Sequence, residues 1–158
     1  MRYAQIREMD ISNGEGIGAA LFVQGCHFHC KGCFNTETWD FSGGKEFTNN
    51  TKEMLFSILN KKYIKRLSVL GGEPLCDENI ETVKDIIKEV KLNFPNICLW
   101  LYTGYTLDEI NKSKKLKDVV SLVDVFVEGR YIQEFADSSY QFAGSTNQHI
   151  VRNKKLCS

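Results

Sequence analysis

Three cysteines, Cys26, Cys30 and Cys33, fall in the run Cys26-His27-Phe28-His29-Cys30-Lys31-Gly32-Cys33, flanked and interrupted by glycines (Gly25, Gly32) that let the backbone curl. Three converging thiolates are the soft ligand set of a transition-metal centre. Iron–sulfur clusters commonly take four cysteines, so a set of three leaves one iron open to an external ligand, the mark of a catalytic centre. His27 or His29 would instead complete a Cys3His zinc site of structural type, and the spacing alone admits both readings. Outside such a site the two histidines read as exposed loop residues.

A second group of chemical interest is Gly71-Gly72-Glu73-Pro74, which combines bare backbone, a carboxylate and a rigid turn. Bare backbone beside an acid suits a ligand with an ammonium group, although the same composition also makes an ordinary turn. Gly14-x-Gly16-x-Gly18 has the look of a phosphate loop, but an apolar strand rather than a helix follows it, so it reads as a flexible turn. Cys76 reads as a buried structural thiol, Cys98 as a core residue of an apolar strand, and Cys157 lies on a basic polar tail. Tyr102, Tyr105 and Tyr131, at strand ends, read as packing residues.

Strands and helices must position these groups. Residues 3–11 are extended, and residues 19–24 form a short apolar run suited to a buried strand. Asn50 with Glu53 predicts the start of a helix whose face carries Met54, Leu55, Ile58 and Leu59. A strand over 66–70 stops at Gly71-Gly72. Asp77 is the expected cap of the next helix, with the stripe Ile80, Val83, Ile86, Ile87 and Val90, ended by Phe94-Pro95. A strand over 97–102, a capping box at Thr106-Leu107-Asp108-Glu109 and a strand over 123–127 complete a β-α-β-α-β-α-β alternation. This predicts an α/β fold with a mainly parallel sheet and right-handed crossovers. The segments 25–35, 71–74, 103–105 and 128–131 each follow a strand, so all four gather at the sheet's C-terminal edge, where such folds place their chemistry. A chain well short of the ~250 residues of a closed eight-stranded barrel predicts an incomplete, open-sided (βα) barrel.

The chain has 158 residues, 42% hydrophobic and 25% charged, in keeping with a folded globular domain rather than a disordered one. Lys and Arg (20) balance Asp and Glu (20), which argues against nucleic acid or an anionic membrane as partner. No apolar run approaches the ~20 residues needed to span a bilayer, and the N-terminal residues lack the apolar stretch of a signal peptide, so a cytoplasmic protein is expected. With no repeat and only two prolines, Pro74 and Pro95, residues 1–158 are expected to form one domain, with a loosely held tail from about 152.

A Cys-x3-Cys-x2-Cys loop after an early strand, with Gly-Gly-Glu-Pro after the next, resembles the radical S-adenosylmethionine (SAM) superfamily. Within it, Asn13-Gly14, the segments 21–26 (LFVQGC) and 29–35 (HCKGCFN), Thr38-Trp39, Thr103-Gly104-Tyr105 and Gly144-Ser145-x-Asn147-Gln148 resemble the family that activates anaerobic (class III) ribonucleoside-triphosphate reductase, over about Asp10 to Gln148. The resemblance implies a shortened radical SAM core in which Cys26, Cys30 and Cys33 bind three irons of a [4Fe-4S] cluster and SAM chelates the fourth through its amino and carboxylate groups. It assigns the SAM amino group to Gly71, Gly72 and Glu73, and adenine to backbone groups of Gly32, Cys33 and Phe34. It implies an oxidoreductase in which an electron from a reduced flavodoxin-like donor splits SAM to methionine and a 5′-deoxyadenosyl radical, which takes a Cα hydrogen from a glycine of the large reductase subunit. Catalytic residues beyond the cluster ligands are not expected.

Three positions depart from the family pattern: Gly18 and Ala143 stand where arginine is common, and Glu15 where proline is common. These bear on partner docking and on contacts to the SAM carboxylate. Competing readings are a short radical SAM enzyme acting on a small molecule, such as a deazapurine-forming synthase, and a non-catalytic zinc or iron–sulfur module. The latter would have no use for Gly-Gly-Glu-Pro, and the absence of an extra substrate domain favours a protein substrate. With no recognisable nucleotide-phosphate loop, the chain by itself is expected to leave ribonucleotides untouched.

Overall fold

The computed structural model describes residues 1–153. Seven strands and four helices follow one another as β1 (Arg2–Asp10), β2 (Gly18–Val23), β3 (Lys45–Glu46), α1 (Asn49–Leu59), β4 (Arg66–Gly71), α2 (Ile80–Asn93), β5 (Cys98–Tyr102), α3 (Leu107–Lys112), α4 (Lys114–Val120), β6 (Val125–Glu128) and β7 (His149–Arg152). They build one open sheet in the order β3-β1-β2-β4-β5-β6-β7. The predicted alternation forms the parallel centre, β2-β4-β5-β6, and β1, β3 and β7 extend it antiparallel at the two sides. The sheet is thus an unclosed mixed α/β sheet, parallel where helical crossovers connect its strands. The short edge strands β3 and β7 carry no period-2 apolar signal of their own; only the neighbours β1 and β6 recruit them.

The two faces of the sheet differ. Ala19, Leu21, Val23, Leu67, Val69, Leu99 and Leu101 alternate onto one face and share a core with the inward residues of all four helices, including Leu55, Ile58, Ile86, Ile87, Ile110 and Val119. Ala20, Phe22, Leu70, Trp100, Val125 and Val127 occupy smaller clusters apart from that core, and Tyr102 packs against both clusters. Helices therefore cover one face, and at the other the loops following the parallel strands enclose a cavity.

Two expected helix starts are corrected. The N-cap of α1 is Thr48, whose hydroxyl accepts from Thr51 N in a reciprocal capping box, so the inward residues are Thr51, Leu55, Ile58 and Leu59 while Met54 is exposed. At 100° per residue Met54 falls at the edge of the arc spanned by these residues, and Thr51 fills the place inside it. Helix α2 begins after Asn79 with no side-chain cap, and Asp77 instead reaches outward to Lys115 Nζ at 2.9 Å. Asn79 is drawn inward because its Nδ2 donates to the Gln24 and Glu73 carbonyls, both at 3.0 Å. The box at Thr106 and Glu109 forms as expected. Arg152 belongs to β7, and Asn153 Nδ2 donates to the Val120 and Val123 carbonyls, so these two residues are part of the ordered sheet edge. Residues 154–158, with Cys157, lie outside the described residues.

Candidate active site

The cysteine loop leaves the end of β2 and is closed at its base. Gln24 Nε2 donates to the Glu37 and Asp40 carbonyls at 3.0 and 2.8 Å, and Gly25 N and Cys26 N donate to the Thr38 and Trp39 carbonyls at 2.7 and 3.1 Å. Gly25 has φ +98°, and a Cβ there would lie 2.1 Å from the Phe41 ring, so glycine is required on both counts. Inside the loop Cys33 N donates to the Cys30 carbonyl at 3.1 Å. Cys26, Cys30 and Cys33 are partly buried free thiols lining one cavity of about 570 Å³.

Loop backbone stands ready for sulfur anions. Burial pushes the Cys26 thiol up, against the Phe28 and His29 N–H groups that favour its thiolate. Burial and neighbouring Cys33 push Cys30 up, against the Tyr131 N–H and the Arg130 charge. Asn35 N donates to Cys33 Sγ at 3.4 Å. Without a cation to hold them ionised, Cys26 and Cys30 favour the neutral form, and a metal centre supplies that charge. The donor set therefore fits an iron–sulfur cluster: soft ligands, partial burial and N–H groups that favour charged sulfur. Among the described residues, no group of three His, Cys, Asp or Glu side chains is gathered around a single-ion position. A cluster spreads its thiolates wider than one ion does. His27 Nε2 lies 2.8 Å from Glu78 Oε1, and His29 stacks on Trp39 at 4.5 Å, so both imidazoles are engaged with other partners.

The turn after β4 abuts this loop. Gly72 N donates to the Val23 carbonyl at 2.9 Å and Glu73 N to the Gly25 carbonyl at 2.8 Å. A Cβ on Gly72 would lie 2.4 Å from the Gly25 oxygen, so the paired glycines let two loops touch, and this is more than an ordinary turn. Glu73 is buried, its Oε1 accepting from Leu75 N (2.9 Å) and Thr103 Oγ1 (2.7 Å) and its Oε2 from Gly104 N (2.7 Å). Desolvation raises its carboxyl to about 7, against those hydrogen bonds and the charge of Arg130.

Gly71, Gly72, Glu73, the three cysteines and Phe34 share the cavity; Gly32 does not line it, and its backbone, at φ +77°, lies against the Gln133 side chain. Phe34 is largely exposed at the cavity and packs on Tyr131 at 5.1 Å. Cys76 is buried and Cys98 sits in the β5 core, in line with their reading from sequence. Tyr102 and Tyr131 line the cavity, and Tyr105 packs edge-on against Phe28 at 5.0 Å. Three contributors had no assignment from sequence: Thr103 and Gly104, which hold Glu73, and Arg130. The signals were the resemblance of the Thr103-Gly104-Tyr105 segment and, for Arg130, position alone, in a segment that directly follows a parallel strand. Gln148 braces this side, its Oε1 accepting from Gly144 N (2.9 Å) and its Nε2 donating to the Gly129 carbonyl (2.9 Å).

The glycine-rich turn after β1 has a different role. Arg66, wholly buried, donates to the carbonyls of Asp10 (2.7 Å), Asn13 (3.0 Å) and Glu15 (3.2 Å) and to Asp10 Oδ2 (2.9 Å). A Cβ on Gly14 or Gly18 would collide with that side chain at 2.5 or 2.8 Å. This turn is packed around a guanidinium and is not a phosphate loop.

An open α/β sheet with three thiols in the loop after its first parallel strand defines a cluster-binding class of protein, and residues 12–151 match the family model of the 4Fe-4S single cluster domain. The chain is 40% identical to the anaerobic ribonucleoside-triphosphate reductase-activating protein of Haemophilus influenzae, over 98% of this chain and 99% of that protein. Proteins of the same name from Vibrio cholerae and Enterobacteria phage T4 are 39% and 38% identical, over 96% and 97% of this chain and 98% and 95% of theirs. The chain belongs to the family of anaerobic ribonucleoside-triphosphate reductase-activating proteins. Among the described residues, no helix is long and apolar enough to cross a membrane.

Proposed function

We propose that this chain is a radical SAM enzyme that activates anaerobic ribonucleoside-triphosphate reductase by installing a glycyl radical in its large subunit. The observation that carries this reading is one cavity shared by Cys26, Cys30, Cys33 and the Gly71-Gly72-Glu73 turn. In this reading the open sheet is a shortened (βα) barrel, and residues 1–158 act as one radical SAM domain. When bound, a [4Fe-4S] cluster and SAM supply one-electron reductive cleavage of the sulfonium to methionine and a 5′-deoxyadenosyl radical, which takes the Cα hydrogen of a glycine in the large subunit.

The chain's own residues hold and orient. Cys26, Cys30 and Cys33 are the ligands of three irons. Gly71 and Gly72 offer backbone without side chains to the SAM amino group. Glu73 Oε2 accepts a hydrogen bond from Gly104 N, which leaves a lone pair for an ammonium. An arriving ammonium favours the ionised form of a carboxyl otherwise raised to about 7. Backbone groups of Cys33 and Phe34 meet the adenine in this reading, and Gly32 acts by turning the loop. A reduced flavodoxin-like protein of the cytoplasm supplies the electron.

The test is anaerobic reconstitution with iron and sulfide, reduction, and addition of SAM, with 5′-deoxyadenosine and methionine quantified against Cys30→Ala. Product is expected from the wild type and none from the variant. Adding the large subunit is expected to give a glycyl radical signal by electron paramagnetic resonance. A fully loaded cluster that yields neither product nor radical with the large subunit present refutes the reading.

A further inference from the structure

Taking the ligand to be SAM, as proposed above, we infer that Arg130 binds its carboxylate, opposite the Glu73 turn that takes its ammonium. The amino-acid end of such a ligand carries both charges, and the cavity must answer both. Glu73 answers the cation. A carboxylate, however, enters a cavity that already holds three sulfur ligands and an acid, and it would be repelled unless a fixed cation stands there. Among the described residues that line this cavity, Arg130 is the one lysine or arginine. Gly18 and Ala143, where the family pattern favours arginine, supply none.

The guanidinium of Arg130 is held in place from two sides. Its Cζ lies 4.3 Å over the Phe28 ring, and Phe28 stands in the cysteine loop between Cys26 and Cys30. Its Nη2 donates to Glu109 Oε1 at 2.9 Å. Glu109 is itself fixed, because its Oε2 accepts from Thr106 N at 2.8 Å in the capping box of α3. The Arg130 carbonyl accepts from Asn147 Nδ2 at 2.8 Å, which ties down the backbone below. An arginine has five N–H donors, and with one of them given to Glu109 the rest of the fork is available at the cavity. The side chain is 39% exposed, and its charge favours the ionised forms of both Cys30 and Glu73, which places it within electrostatic reach of thiol and acid alike. A planar fork over an aromatic ring gives two-pronged carboxylate recognition that an ammonium point charge does not reproduce.

The experiment compares two ligands, SAM and its decarboxylated analogue, in anaerobic equilibrium binding to the reconstituted protein. Wild type is expected to prefer SAM. Arg130→Gln is expected to weaken SAM binding by about tenfold to a hundredfold, the loss of one charge-assisted hydrogen bond, while binding of the analogue moves by less than about threefold. Arg130→Lys is expected to fall between, and it carries the test if Arg130→Gln does not fold. Cluster absorbance and thermal melting, unchanged from wild type, show that the variants are intact. A variant that keeps the wild-type preference, or that loses both ligands equally, overturns the assignment to Arg130 and leaves the SAM reading standing. Wild-type protein with a full cluster and no SAM binding overturns both.

Discussion

Two buried carboxylates, Asp10 at the end of β1 and Glu73 in the turn after β4, sit 4% and 2% exposed at opposite ends of the parallel strands, and they are kept in different ways. Asp10 has a full counter-charge: desolvation pushes its carboxyl up, but hydrogen bonds from Arg66 and Asn13 and the Arg66 charge outweigh it, so the group lies below the ordinary range. Glu73 has neutral donors at hydrogen-bond distance, two backbone N–H groups and a hydroxyl, and desolvation wins, raising it to about 7. A structural anion is neutralised inside the protein. The anion at the cavity is held in shape by neutral donors and left short of positive charge.

Breaking the first arrangement is expected to have the largest effect. Asp10→Ala leaves the Arg66 guanidinium buried without its anion, and a loss of about 3–5 kcal/mol in urea unfolding is expected. Because Asp10 titrates below its ordinary value of 3.8 when folded, its contribution is complete above that value and is lost as pH falls through the lowered one. Glu73→Gln places an amide N–H against one of three donors, and a loss of about 1–3 kcal/mol is expected at pH 5.

Here the sign is opposite. The folded protein holds the Glu73 proton more tightly than the unfolded chain, so the wild-type metal-free protein loses stability as pH rises from about 4.5 to about 7, whereas Glu73→Gln has no such slope. Unfolding curves of the pair across that window check it; parallel curves would place Glu73 in the same class as Asp10. The smallest effect is expected of Thr103→Val, which removes one donor from Glu73 Oε1 at a cost of about 1 kcal/mol. It should also move the wild-type pH window upward, because one interaction favouring the ionised form is gone.

Legibility followed the range of the forces involved. The apolar stripe Ile80, Val83, Ile86, Ile87 and Val90, buried as expected, is a local pattern, as is the capping box at Thr106 and Glu109. Both rest on neighbours within a few residues. At the start of α1, Asn50–Glu53 and Thr48–Thr51 are competing caps in the same stretch, and the structure forms the second, a reciprocal box that buries Thr51. Asp77 was misread because its rival partners, Lys115 for itself and the Gln24 carbonyl for Asn79, are 38 and 55 residues away.

The spacing of Cys26, Cys30 and Cys33, the glycines at 71 and 72 and the strand–helix alternation were thus determined by the sequence alone, since ligand type, backbone freedom and periodicity are properties of short segments. Only the tertiary structure decided that Gly72 is a glycine because the Gly25 carbonyl lies against it. It also decided that Arg66 is a buried plug while Arg130 faces the cavity, and that Thr103 and Gly104 hold Glu73. The physical reason is that desolvation and charge pairing act through space: two arginines of identical chemistry become a buried strut and a part-exposed cavity group according to which carboxylates the folded sheet brings beside them.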